Sequence, residues 1–164
     1  MKFDFTTTEI AILVLDRAPD VNNLKYSPIP GRIHLIKELF AIITTNIGKT
    51  LLSDLNFEPD NFGPFDESIF AALDNLHDAN LIQYISSKDY SKIELTDEGK
   101  IVADQLWKKL KPEVQELFTY VKINYNHKSS DAILNEIYSL FPEMAKNSIS
   151  KVAEKYKTRE TKAC

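Results

Sequence analysis

The chain has 164 residues, of which 43% are hydrophobic, and its formal charge at pH 7 is −4. This size and composition indicate one globular core and exclude a disordered or collagen-like chain, while a single cysteine, Cys164, excludes a disulfide framework and a thiolate metal site. No apolar run approaches the roughly 20 residues of a membrane span and the first residues lack the plan of a signal peptide, so we expect a cytoplasmic protein with no membrane partner.

The first two predicted elements are amphipathic helices. Thr6 and Glu9 have the spacing of a capping box, which predicts that the first helix begins at Thr6, and Pro19 ends it. A loop is predicted over residues 20–31, because this segment contains paired asparagines and two prolines. Apolar residues at helical spacing then predict a second helix over residues 32–45.

Residues 46–65 form the longest predicted connection. We expect an insertion loop with a short helix near residues 51–55, and loops of this length usually serve a function. The loop carries three aromatic side chains, which either plug the core or contribute to an interface. Core packing is the favoured interpretation for Phe57 and Phe65, whereas both alternatives are open for Phe62.

The third predicted helix, over residues 66–79, follows this aromatic segment without a break. Asp66 is its predicted N-cap. Phe65 and Phe70 have the spacing of a hydrophobic staple, which would fix the angle at which the chain enters the helix. Asn80 predicts a helix end in the left-handed conformation.

After this helix the apolar period changes to two, which predicts a β-hairpin over residues 81–95 with its tip at residues 86–91. Further amphipathic helices follow. One starts around Thr96, one has Pro112 at its first position, and one is predicted to be capped by Ser130.

These elements predict three parts of the chain. Residues 1–99 form a head that includes the insertion loop, and residues 100–154 form a helical extension. The extension either packs on the head or forms the arm of a homodimer. Residues 155–164 are predicted to be a disordered basic tail.

The charge is divided unevenly along the chain. Residues 1–100 contain 9 Lys and Arg against 16 Asp and Glu, a formal charge of −7, whereas residues 101–164 contain 11 against 8, a formal charge of +3. Phosphate neutralisation supplies most of the non-specific affinity of nucleic-acid-binding proteins. The acidic head is therefore poorly suited to binding DNA.

The order of helix, helix, helix, hairpin and helix predicts a mainly α winged-helix domain of the helix-turn-helix type, with a small β-hairpin and a C-terminal helical extension. Residues 66–79 stand in the place of the recognition helix and residues 81–95 in that of the wing.

Three phrases carry a resemblance to a known family: "PIPGRIHLIKELF", "FEPDNFGPFDESIFAALDNLHDANLI" and "IELTDEGK". They resemble the YwgA-like winged-helix family, and the later phrase "VKINYNHKSSDAILNEIYSLFPEMAKNS" is similar to its helical C-terminal part. The Gly-Pro-Phe junction more distantly resembles the Panacea antitoxin domain. The resemblance covers residues 6–150 and implies a regulatory or toxin–antitoxin role, without a catalytic residue to transfer. Asn80 departs from the family's usual glycine.

The sequence offers no constellation for catalysis. Its four glycines do not form a phosphate-binding loop. His34 and Glu38 lie one helical turn apart, but a metal site needs further ligands. His77 and His127 lack a nucleophile in a recognisable context. We therefore predict no enzyme activity, no cofactor and no metal.

The favoured hypothesis is recognition of a protein. Glu67, Asp74 and Asp78 are predicted to face outward from the third helix, with Phe62 beside them. An acidic face of this kind attracts a basic partner, such as a toxin or a nuclease, to an antitoxin-like or accessory subunit.

The alternative hypothesis is a DNA-binding transcription regulator. The third helix has no Lys or Arg for the major groove, so the contacts would come from the wing and the basic tail. The predicted contact residues are Lys88, Lys92, Lys151, Lys155, Lys157 and Arg159.

Overall fold

Most of the described residues are helical, and two short antiparallel hairpins lie among these helices. The computed structural model describes residues 4–60, 63–86, 91–147 and residue 153. The mainly helical class with a β-hairpin agrees with the sequence prediction. In chain order the elements are α1 (Thr7–Arg17), α2 (Arg32–Ile43), α3 (Asn46–Leu51), β1 (Glu58–Asp60), β2 (Gly63–Phe65), α4 (Ser68–Asp78), β3 (Ile82–Ser86), β4 (Ser91–Leu95), α5 (Asp97–Lys109), α6 (Pro112–Tyr125), α7 (Ser130–Leu140) and a 3₁₀ turn (Pro142–Ala145).

Side-chain caps start several helices where the sequence predicted them. The Thr6 hydroxyl accepts a hydrogen bond from the Glu9 amide at 3.1 Å, and the Glu9 carboxylate accepts one from the Thr6 amide at 2.8 Å, which confirms the capping box. Thr96 caps α5 by accepting a bond from the Gly99 amide at 3.0 Å. Pro112 occupies the first turn of α6, where its missing N–H costs no helical hydrogen bond.

The start of α7 differs from the prediction by one residue. The cap is Ser129, whose hydroxyl accepts a hydrogen bond from the Ala132 amide at 3.1 Å. Ser130 is instead the first helical residue. Two adjacent serines offer the same cap chemistry, so the sequence pattern alone did not distinguish between them.

The described residues of segment 46–65 contain regular elements, whereas an insertion loop with one short helix was predicted. The segment contains α3, which starts earlier than the helix predicted near residues 51–55, because the Thr45 hydroxyl caps it through the Gly48 amide at 2.9 Å. It also contains the β1–β2 hairpin, in which Pro59 is opposite Pro64. Prolines disfavour a strand assignment from sequence, but they are tolerated in short strands that lie at an edge.

The main hydrophobic core forms around α1. The run Ala11–Leu15 is almost completely buried, since α4, α5, α6 and β4 all contact this helix. Val114, Phe118 and Val121 bring α6 into the same core. The described helices that follow residue 99 therefore pack on the head.

A polar contact also joins α5 to α1. The Nε atom of Arg17 donates a hydrogen bond to Asp104 at 2.9 Å, and the guanidinium lies 4.7 Å from the ring centre of Trp107. The hydroxyl of Tyr26 donates to the same carboxylate at 2.6 Å. Asp104 thus ties the loop after α1 to α5.

A smaller hydrophobic cluster attaches α7 to α2. The ring of Phe40 packs edge-on against Phe57 at 5.2 Å and against Phe141 at 5.3 Å. Leu134 and Tyr138 of α7 are buried in this cluster. Helix α7 therefore packs on the surface formed by α2 and the β1–β2 hairpin.

The β3–β4 hairpin has the predicted position, with Ile82 opposite Leu95 and Ser86 opposite Ser91. Its predicted tip, apart from these two serines, lies outside the described residues. Ile29 adds a third short backbone pairing, because it exchanges two hydrogen bonds with Ile93 at 2.8 and 2.9 Å. None of the described helices combines the length and apolar character needed to traverse a bilayer.

Candidate functional site

The entry into α4 is fixed by two contacts. The rings of Phe65 and Phe70 pack edge-on at 5.3 Å, which confirms the hydrophobic staple. Asp66 is not the N-cap, a position that Glu67 occupies, but its carboxylate accepts hydrogen bonds from the backbone amides of Ser68 at 2.9 Å and Asn56 at 2.6 Å. Burial favours the neutral acid, yet a hydrogen bond from the Ser68 hydroxyl at 2.7 Å, together with these two, outweighs it and lowers the pKa of Asp66. Asp66 therefore joins α4 to the segment before β1.

The exit from α4 is fixed by Asn80. Its φ angle of 61° lies in the left-handed region, as the sequence predicted. The Asn80 amide donates to the carbonyl of His77, and the Leu81 amide donates to the carbonyl of Leu76, each at 3.0 Å. This pair of bonds is a Schellman motif, which sends the chain directly from α4 into β3.

Between these two ends, α4 presents a row of acidic side chains. Glu67, Asp74 and Asp78 are all exposed and recur at helical spacing, so they lie along one face, which we call the acidic stripe. The opposite face enters the core through Ile69, Ala72, Leu73 and Leu76. The sequence of α4 contains no Lys or Arg, so no cation within the helix offsets the stripe.

A cleft of about 460 Å³ extends this negative surface beyond the helix. Its carboxylates come from β1 and from the start of α4: Glu58, Asp60, Asp66 and Glu67. We call it the acidic cleft. The sequence reasoning missed Glu58 and Asp60, because their approach to α4 depends on the β1–β2 hairpin.

Two of the three aromatic residues considered for an interface serve the fold. Phe57 and Phe65 are half-buried and pack on Phe40 and Phe70, which agrees with the favoured interpretation. Phe62 lies outside the described residues.

Among the predicted DNA contacts, the structure describes one. Lys92 is half-buried in β4 opposite Ile85. The others, Lys88, Lys151, Lys155, Lys157 and Arg159, lie outside the described residues.

The interior holds an ionic cluster that sequence reasoning missed. Asp16 of α1, Glu38 of α2 and Lys122 of α6 are fully buried. The Lys122 ammonium donates hydrogen bonds to the backbone carbonyls of Leu15 at 3.0 Å and Asp16 at 2.7 Å, and to that of Ser27 at 2.7 Å. Lys122 therefore satisfies the end of α1 and the loop after it.

Burial dominates the protonation of this cluster. It raises the pKa of Asp16 to about 8, against the opposing effect of the Lys122 charge. It also raises the pKa of Glu38 and lowers that of Lys122, in both cases against attraction between the opposite charges. The neutral form of Asp16 is thus favoured at low and neutral pH, and burial shifts the pKa of Glu38 in the same direction.

The histidines take separate positions. His34 is buried and donates from Nε2 to the Tyr125 carbonyl at 2.6 Å, and burial lowers its pKa. Glu38, which lies one helical turn from His34, is buried in the ionic cluster. His77 is exposed, with its ring 5.2 Å from that of Tyr84. Within the described part of the chain, no three His, Cys, Asp or Glu side chains are grouped so that they could hold a metal ion.

The chain was compared with known families and proteins. A scan against protein-family models gives no match, and a search of curated proteins finds no similar sequence.

Proposed function

We propose that this chain is a non-catalytic winged-helix regulator that binds a basic protein partner through the acidic stripe of α4 and the adjoining acidic cleft. The observation that carries the proposal is the exposed face formed by Glu67 at the N-cap and by Asp74 and Asp78 within α4, a helix that contains no Lys or Arg. The partner would be a toxin or a nuclease whose own basic surface binds nucleic acid. The chain would then act as an antitoxin-like or accessory subunit.

The order of elements supports the winged-helix part of the proposal. Helices α1, α2 and α4 are followed by the β3–β4 hairpin and α5, with α3 and the β1–β2 hairpin inserted before α4. In such domains the third helix is displayed to the target and the hairpin flanks it. We assign this displayed position to α4.

The charge pattern supports a protein target over DNA. A helix that enters the major groove approaches phosphates on both sides, so Glu67, Asp74 and Asp78 would be repelled. The same carboxylates steer a basic protein toward α4 and accelerate its association. The rigid entry and exit of the helix hold this surface in one orientation, which reduces the ordering cost of binding.

The test is a tagged pull-down from the native host, with nuclease treatment and mass spectrometry. We expect a basic protein to be retained in stoichiometric amount. The variant Glu67→Gln, Asp74→Asn, Asp78→Asn should lose it and keep its fold, because exposed substitutions usually change stability by less than about 0.5 kcal/mol.

The matched control neutralises three exposed carboxylates elsewhere: Glu98→Gln, Glu116→Gln and Glu143→Gln. It changes the net charge by the same amount and should retain the partner. Full retention by the α4 variant would refute the role of the acidic stripe. Recovery of specific DNA without a protein would instead support a transcription regulator that uses the wing and tail.

A further inference from the structure

A second cleft, of about 880 Å³, lies where four separate elements meet. The starts of α2 and α7 line it together with Phe70 of α4 and Tyr84 of β3. Its size is within the range of small-molecule sites, which is roughly 300 to 1,000 Å³. We call it the basic cleft, after its lining residues Arg32 and Lys128.

The charge of the basic cleft is positive. None of its described lining residues is acidic. Among the described residues, no carboxylate oxygen lies within 4 Å of the Arg32 guanidinium, whereas Lys128 is 3.2 Å from Glu136. The lining residue His34 has a lowered pKa and favours its neutral form. Arg32 is therefore the cation of this cleft that is free of a described counter-ion.

Aromatic rings hold Arg32 against the wall of the cleft. Its guanidinium lies 5.4 Å from the ring centre of Phe70 and 5.7 Å from that of Tyr84. A guanidinium carries five N–H donors, so one that contacts aromatic rings still has donors for an anion. Ile33, which is 41% exposed, places apolar surface in the same cleft.

The backbone adds positive potential at the same place. Gly31, the residue before α2, lines the cleft, and the first turn of α2 has no side-chain cap. Ser129 and Ser130 bring the start of α7 to the same cleft. The amino ends of two helices therefore direct their dipoles toward it.

We propose that the basic cleft binds a small aromatic anion, a phosphate or carboxylate group attached to a ring. The anionic group pairs with Arg32 and the amides at the start of α2, and the ring lies on Ile33 and Phe70. This site is independent of the acidic stripe and does not rest on the proposed protein partner.

Isothermal titration calorimetry with 1-naphthyl phosphate tests the proposal on the full chain. Inorganic phosphate and 1-naphthol serve as comparison probes, because each carries one half of the proposed ligand. We expect 1-naphthyl phosphate to bind at least about tenfold more tightly than either half, and more weakly as salt is raised. An absence of binding at about 1 mM probe would overturn the proposal.

Two variants place the bound probe in the basic cleft. Arg32→Gln should weaken binding at least about tenfold, and Ile33→Glu should do the same by adding a negative charge at a partly exposed position. Lys108→Gln removes an exposed cation of α5 outside the lining and should leave the affinity unchanged. Binding that both cleft variants retain in full would show that the probe binds elsewhere and would exclude this site.

Discussion

The carboxyl of Asp16 is fully buried beside Lys122, and burial raises its pKa from 3.8 to about 8. Between these values the folded chain retains a proton that the unfolded chain releases, so this group lowers stability as the pH rises from about 4 to 8. We expect Asp16→Asn, which cannot ionise, to be more stable than the wild type by about 4 kcal/mol at pH 7 and by less than about 1 kcal/mol at pH 4. Urea unfolding at the two pH values measures the difference.

Asp78→Asn is the control for this prediction, because Asp78 is exposed on α4 and should change stability little at either pH. The charges of Glu38 and Glu94 are coupled to that of Asp16, so the difference between wild type and variant includes this coupling. A variant less stable than the wild type at pH 7 would show that Asp16 is ionised and paired with Lys122.

Lys122 stabilises the fold, because its removal leaves the backbone carbonyls it contacts without a donor. We expect Lys122→Met to lose about 3 to 5 kcal/mol of unfolding free energy, since three backbone carbonyls lose their buried hydrogen-bond donor. Adding Asp16→Asn should restore part of this loss. Urea unfolding of the single and double variants measures the coupling, and a single variant with a loss under about 1 kcal/mol would contradict the prediction.

For individual residues, the sequence predicted the local geometry of those whose partners lie close to them in the chain. Thr6 with Glu9, Phe65 with Phe70, and Asn80 all adopt the predicted local geometry. The ionic cluster was not predictable in this way. Lys122 bonds to the Asp16 carbonyl across 106 positions, so its burial depends on how α6 packs on α1.

Among the elements, α5 begins in close contact with the backbone of Leu81. A Cβ atom on Gly99 would lie 1.9 Å from the carbonyl oxygen of Leu81. Alanine is the better helix former by about 1 kcal/mol, but this clash with the backbone outweighs that preference. We expect Gly99→Ala to lose about 3 kcal/mol of stability, measured by urea unfolding.

Glu98→Ala is the matched control, because Glu98 is exposed in the same turn and should cost no more than about 0.5 kcal/mol. A Gly99→Ala protein as stable as the wild type would mean that the start of α5 moves away from Leu81 without cost.

Hydrophobic periodicity predicts the long helices well but does not predict the short elements. Long amphipathic helices were predicted close to their observed bounds, as α2 shows. The segment 46–65 was not, because a six-residue helix and two three-residue strands are too short for a repeating pattern. Its prolines favoured a loop, whereas the structure accommodates them in the β1–β2 hairpin.

In the molecule as a whole, α5 and α6 share the main hydrophobic core with the head. Trp107 is the only tryptophan, and Arg17 of α1 lies over its ring at 4.7 Å. Its fluorescence therefore reports the contact between α1 and α5. We expect fluorescence and far-ultraviolet circular dichroism to give coincident urea transitions. Two separate midpoints would identify residues 100–154 as an independently folding unit.

The acidic stripe and the basic cleft differ in how much of each could be predicted from the sequence. The acidic stripe belongs to one helix, so its outward direction follows from helical spacing alone. The basic cleft combines residues of α2, α4, the β3–β4 hairpin and α7, and it also includes Lys128 before α7. Helical spacing does not specify which elements meet, so this cleft was not predicted.

The three carbonyls that accept hydrogen bonds from Lys122 also determine when the head becomes stable during synthesis. They belong to Leu15, Asp16 and Ser27, whereas their donor follows 95 to 107 positions later. A chain emerging from the ribosome folds from its amino end, so the end of α1 lacks this cation until α6 has been translated. The nascent head therefore reaches its final stability only after α6 emerges, and a ribosome that stalls before this point carries an incompletely stabilised head.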